Sequence, residues 1–79
     1  MKARIFVTLK PGVLDPQGKA IEGALGALGF SGVAGVRQGK VFDVEIDEPE
    51  RAKAEAALKH MCERLLANTV IEDYSIALE

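Results

Sequence analysis

VAGVRQGKVFDVEID, residues 33–47, is the stretch on which the fold turns. It holds two β-rich segments, Val33–Arg37 and Val41–Asp47, and the Gln38-Gly39 pair between them suits a tight hairpin turn. In the second segment Phe42, Val44 and Ile46 share one face at period two, while Val41 and Asp43 take the other. The pattern predicts two short strands here, with the inward set facing a core.

On the N-terminal side, Ile5, Val7 and Leu9 alternate with Arg4, Phe6, Thr8 and Lys10, which predicts a strand over Ala3–Lys10 that Pro11 and Gly12 end. Asp15 before Pro16 reads as a helix cap followed by a first-turn proline. The helix it opens covers residues 16–28, with Ala20, Ile21, Ala24, Leu25 and Leu28 as its apolar stripe and Gly29 as a left-handed terminator. On the C-terminal side, Asp47-Glu48-Pro49-Glu50 resembles an acidic capping box. The second helix has the stripe Ala54, Ala57, Leu58, Met61 and Leu65, with Asn68 as a left-handed cap. Val70–Leu78, with Tyr74, Ile76 and Leu78 at period two, reads as the last strand.

The order is βαββαβ, the α+β, ferredoxin-like pattern: a four-stranded antiparallel sheet with both helices on one face. The other face carries Phe6, Thr8, Val41, Asp43 and Ala77, a mixed surface with enough apolar area to pair with a second copy. Residues 1–79 make one domain. A chain of this size forms a core worth roughly 3 to 5 kcal/mol and needs outside support. The lone Cys62 forms no internal disulfide, and with the lone His60 it builds no zinc site. Self-association is the remaining route.

Charge narrows the classes of partner. The 10 basic and 12 acidic side chains are interspersed, for a net charge of −2, which favours neither nucleic acid nor an anionic membrane. The opening MKARIFVTLKPG is too short and too charged for a signal peptide, and no apolar run approaches the ~20 residues of a membrane span, so a cytoplasmic protein is expected.

No constellation for catalysis emerges. His60 and Cys62 stand two apart on a helix and point in different directions. Gly12–Lys19 departs from a phosphate-binding loop in its glycine spacing, in Ala20 where a hydroxyl belongs, and in the negative charge of Asp15. Glu72 and Asp73 alternate sides on a strand and read as solvated edge charges or a charged partner contact. Arg37 and Lys40 flank the hairpin turn, where solubility or an anion accounts for them. A base-stacking sheet would need more outward aromatics than Phe6 and a basic setting. The expectation is a chain with no catalytic residues, cofactor or metal of its own.

Three separated runs, GVLDPQGKAI at Gly12–Ile21, VRQGK at Val36–Lys40 and LLANTVIEDY at Leu65–Tyr74, closely resemble the PurS family over nearly the whole chain. Thr69 stands where that family usually has proline, which frees one backbone N–H before the last strand. The resemblance implies the small subunit of phosphoribosylformylglycinamidine synthase, which consumes formylglycinamide ribonucleotide, ATP and glutamine in purine synthesis. In that family a PurQ-type glutaminase releases ammonia and a PurL-type synthetase uses ATP and Mg, while PurS, a homodimer or homotetramer, bridges them. The family-like stretches least needed for a core give the candidate partner contacts: Gly12, Val13, Leu14 and Asp15; Arg37, Gly39 and Lys40; Asn68, Glu72 and Asp73. Phe6, Thr8, Val41 and Ala77 are the candidates for self-association. The residues leave a rival open, a stand-alone regulatory domain that binds a small effector at a dimer interface.

Overall fold

Alternation in β1 (Lys2–Leu9) organises the sheet: Ala3, Ile5 and Val7 are buried while Lys2, Arg4, Phe6 and Thr8 face outward. The computed structural model describes residues 1–79 and continues with α1 (Pro16–Ala27), β2 (Gly39–Glu45), α2 (Arg51–Met61), a π-helical turn (Cys62–Leu66) and β3 (Glu72–Leu78). β1 is the middle strand, antiparallel to β2 on one side and to β3 on the other. Ile5 stands opposite Phe42 and Ile76, and Ala3 opposite Val44 and Leu78, so the buried face of β1 is flanked by apolar side chains from both neighbours. Over it α2 lays Ala54 and Leu58, and Cys62 follows from the π-helical turn. Ile5, Leu58 and Cys62 are fully buried.

The α+β class and both helices stand as expected, but the sheet has three strands, not four. Val33–Arg37 runs as unpaired chain, and Gln38-Gly39 makes no hairpin turn. The reason is that the amide of Gln38 is committed elsewhere, donating to Asp15 Oδ2 at 2.7 Å, while the Arg37 guanidinium is drawn back to the carbonyls of Lys10 and Val13. Gly29 and Gly32, both at positive φ, turn the chain again before it reaches Val33. Nor does α1 pack on the sheet: its apolar stripe is largely open, with Leu28 74% exposed. The first helix therefore does not share a layer with α2.

Helix boundaries differ for local reasons. α1 begins at its Asp15 cap as expected, and Gly29, at φ +94, turns the chain just beyond its end, where a side chain would be strained. The acidic run before α2 supplies no side-chain cap; Glu50 is the boundary residue and Glu48 Oε1 accepts only from the Glu50 amide. Asn68 is not left-handed. Its carbonyl accepts from the amides of Ile71 and Glu72, and its side chain from that of Val70, so it organises the turn into β3. The π-helical turn adds a residue to the last helical turn, so Leu65 leaves the stripe, 83% exposed, while Ala67 enters the core.

These features lengthen the molecule. Its extents are 49 × 24 × 15 Å and its radius of gyration is 16.0 Å, against about 12 Å for a compact domain of this length. The elongation comes from residues 16–36, which project from the sheet as an arm made of α1 and the unpaired chain after it.

Leu58 is the test of the core. Leu58→Ala removes a fully buried side chain between α2 and β1, and urea denaturation should show a loss of about 2–5 kcal/mol. A loss under about 1 kcal/mol would mean that α2 does not close this core.

Candidate partner interface

The arm joins the sheet through a neck built from two connectors, Lys10–Asp15 and Val36–Gly39. Asp15 is nearly buried, and a buried carboxylate has to be bonded. Its Oδ1 accepts from the Gly18 amide at 2.8 Å, capping α1, and its Oδ2 accepts from the Gln38 amide at 2.7 Å. These donors, that of Gln38 foremost, hold the Asp15 carboxyl below its ordinary range against the opposing effect of burial, and the Arg37 charge adds to them. Arg37 crosses the same neck, donating from Nη1 to the Val13 carbonyl at 2.8 Å and from Nη2 to the Lys10 carbonyl at 3.0 Å. Gly18 completes the joint, because a Cβ there would run into the Val36 carbonyl oxygen.

The third family-like run arrives at the same place. The Lys10 amide donates to the Ile71 carbonyl at 2.8 Å. Lys10 Nζ lies 3.9 Å from Asp73, and Lys40 Nζ lies 3.8 Å from Glu72 and above the Phe42 ring. A shallow groove of about 250 Å³ is lined by Asp15, Gly39, Lys40 and Glu72 among others. Residues far apart in sequence thus meet at one end of the sheet, at the root of the arm. Within it the roles divide. Gly12 and Leu14 are exposed at the connector tip and Val13 is half-buried. Asp15, Arg37 and Asn68 spend their polar groups inside the chain, Asn68 also through its amide to Glu72 Oε1 at 2.7 Å. Lys40 and Asp73 present charge to solvent.

On the open sheet face Phe6 stands opposite Val41 and Ser75, and Thr8 opposite Gly39 and Asp73. Arg4 stands between Asp43 and Ala77. Phe6 and Val41 are exposed, so the residues expected to face away from the helices do so. Arg4 Nε donates to Asp43 Oδ1 at 2.8 Å, which raises the Arg4 pKa and lowers that of Asp43. The pair gives the face a neutral charged centre beside its apolar patch.

Sequence reasoning missed one pairing. The Tyr74 hydroxyl donates to Glu63 Oε2 at 2.8 Å, and that bond pushes the phenol up to about 12. No spacing rule links a residue of the π-helical turn to the start of the last strand. His60 and Cys62 part company as read: His60 faces solvent, whereas Cys62 is in the core and burial pushes its thiol up.

A sequence model of the family described as "PurS: Phosphoribosylformylglycinamidine (FGAM) synthase" matches residues 2–79. The phosphoribosylformylglycinamidine synthase subunit PurS of Mycobacterium leprae is 50% identical over 78 residues, covering 99% of this chain and 95% of that one. That of Synechocystis is 51% identical over 71 residues, covering 90% of this chain and 71% of the relative. Among solved structures, Bacillus subtilis PurS aligns with a TM-score of 0.90 at 45% identity, over 99% of this chain and 96% of that one. A chain from the structure of PurLQS from Thermotoga maritima aligns with a TM-score of 0.88 at 34% identity, over 96% and 93%.

Two titrations check the geometry. Because the folded pKa of Asp15 lies below its ordinary 3.8, its stabilising contribution is complete above that value and is lost as pH falls through the lower, folded one. The melting-temperature gap between the wild type and Asp15→Ala should hold steady at neutral pH and close in acid; a gap indifferent to acid would remove the carboxylate from this role. Phenol absorbance should give a Tyr74 midpoint near 12, falling towards 10 in Glu63→Gln. An unchanged midpoint in that variant would mean the bond is not made in solution.

Proposed function

This chain belongs to the PurS family and is a subunit of phosphoribosylformylglycinamidine synthase in purine biosynthesis, and we propose that within that complex it is a cytoplasmic, non-catalytic adaptor. It bridges a PurQ-type glutaminase and a PurL-type synthetase and assists the passage of ammonia between them. The observation that carries this reading is the convergence of the three family-like runs on one end of the sheet, where Leu14, Lys40 and Asp73 are exposed.

The division of labour has a physical basis. Ammonia set free in water escapes or takes up a proton, so the site that makes it and the site that uses it must be held in a fixed, enclosed relation. A small domain whose connectors are locked by Asp15 and Arg37 offers a stiff surface for that purpose. The ATP, Mg and glutamine of the reaction belong to the larger subunits. Self-association, as a homodimer or homotetramer, presents the contact surface in more than one copy, and the open face around Phe6, Thr8, Val41 and Ala77 serves it.

The test is amidine formation by the two larger subunits, with glutamine or with ammonia as the nitrogen source, with and without this chain. Glutamine-dependent turnover should require the chain while ammonia-dependent turnover survives without it. Equal glutamine-dependent rates in both mixtures would overturn the coupling role.

A further inference from the structure

β3 bounds the sheet beyond β1, and no strand of the chain lies on its outer side. Which backbone groups face that way follows from the two hydrogen bonds that flank the ladder. The Glu79 amide donates to the Lys2 carbonyl and the Lys10 amide to the Ile71 carbonyl. Between them Arg4–Ala77, Phe6–Ser75 and Thr8–Asp73 are therefore the bonded pairs. By alternation the N–H and C=O of Tyr74, Ile76 and Leu78 point away from the sheet, and the Leu78 carbonyl accepts from Arg51 Nη2 at 3.1 Å. An edge strand is ordinarily guarded by a proline, a bulge or a charge. The stretch YSIAL, Tyr74–Leu78, has none of these, and its register with β1 is unbroken.

α2 borders this edge with a row of charges. Arg51, Glu55, Lys59 and Glu63 recur every four residues with alternating sign, which sets them along one side of the helix and its π-helical continuation. The first three line a groove of about 320 Å³ whose other wall is Tyr74, Ile76 and Leu78. Arg51 Nε lies 3.4 Å from Glu55 Oε1. Glu63 is four residues beyond Lys59 and could have paired with it, but its carboxylate accepts from the Tyr74 hydroxyl instead. Lys59 makes no salt bridge and is the one unpaired cation of the groove. The Tyr74–Glu63 bond thus leaves a positive charge free beside a row of unused backbone groups.

We propose that the outer edge of β3 takes up an extended, acidic segment of a larger subunit of the synthase as an added strand. The segment exchanges backbone hydrogen bonds with Tyr74 and Ile76 and sets a carboxylate against Lys59. The proposal rests on the adaptor reading and gives the partner contact a conformation and a charge. Two observations point to a foreign segment. The edge starts at Asp73, in the end of the sheet that carries the candidate partner contacts, so a strand laid along it continues that surface. A second copy placed antiparallel on this edge would bring Glu55 and Glu63 to the groove, and both are already committed within their own chain. The groove calls for a carboxylate that this chain does not have to spare.

Amide hydrogen exchange on the isotopically labelled full chain, alone and assembled with the two larger subunits, tests this residue by residue. Exchange would be quenched and read by NMR after the complex is dissociated. In the free chain the amides of Ser75 and Ala77 are held by β1 and should exchange slowly, while those of Tyr74 and Ile76 exchange fast. Assembly should slow Tyr74 and Ile76 by roughly tenfold or more, so that protection becomes continuous along the strand. Lys59 is exposed, so its substitution leaves the fold intact. Lys59→Glu should weaken assembly by roughly three- to tenfold, and Lys59→Arg should bind like the wild type. A complex that forms while Tyr74 and Ile76 exchange as before would overturn strand addition and leave the adaptor reading standing. Failure of any complex to form would overturn that reading and this one with it. Slowing of the same two amides that grows with the concentration of the chain alone would hand the edge to a second copy and sink the proposal. Assembly indifferent to Lys59→Glu would overturn the acidic character assigned to the segment.

Discussion

The Asp15 carboxylate is the joint on which the shape of this protein depends. One oxygen starts α1 by taking the amide of Gly18 and the other takes the amide of Gln38, so a single side chain sets both where the chain leaves the sheet and where it returns. A carboxylate with so little contact with water is tolerable only because both oxygens are bonded and a guanidinium lies close by. Once those bonds form, the chain between them has nowhere to go but outward. The missing fourth strand, the bare stripe of α1 and the elongated outline are three expressions of that one choice.

Much of this was legible in the residue pattern. The alternation in β1, β2 and β3 predicted which side chains face the helices and which face away, down to Phe6, Val41 and Ala77, because period two leaves no freedom once a strand exists. The Asp15-Pro16 cap and the Gly29 terminator were also plain, since each acts within a few residues. What could not be read were commitments across long separations. Val33–Arg37 has the composition of a strand, but Gln38 gives its hydrogen bond to Asp15 and Arg37 gives its donors to Lys10 and Val13, and no local rule registers such bonds. The last turn of α2 misled for another reason: the stripe through Leu65 assumes a constant period, which the π-helical turn breaks. The candidate site was legible as three runs of sequence; their meeting at one end of the sheet was not.

The same distinction separates two kinds of residue within the family-like runs. Asp15, Arg37 and Asn68 are turned inward and make the surface stiff, whereas Leu14, Lys40 and Asp73 are turned outward and exposed to solvent. The adaptor role proposed for this chain calls for both. A contact made by a loosely held loop would have to be ordered at each encounter, at an entropic cost set against the affinity, and here the neck has already been ordered by folding.

The place of β1 at the centre of the sheet has a consequence for how the chain is made. β1 precedes both neighbours in the chain, yet its far side is closed only by β3, so Ala3 waits for Leu78 and Ile5 for Ile76. On the ribosome the helices and the first hydrogen-bonded pair, β1 with β2, are available early, while the core that buries Ile5 stays incomplete until β3 has emerged. Until then the nascent chain exposes a strand with an unpaired edge and an apolar face. An interruption of synthesis before β3 is made therefore releases a sticky fragment instead of a shorter domain.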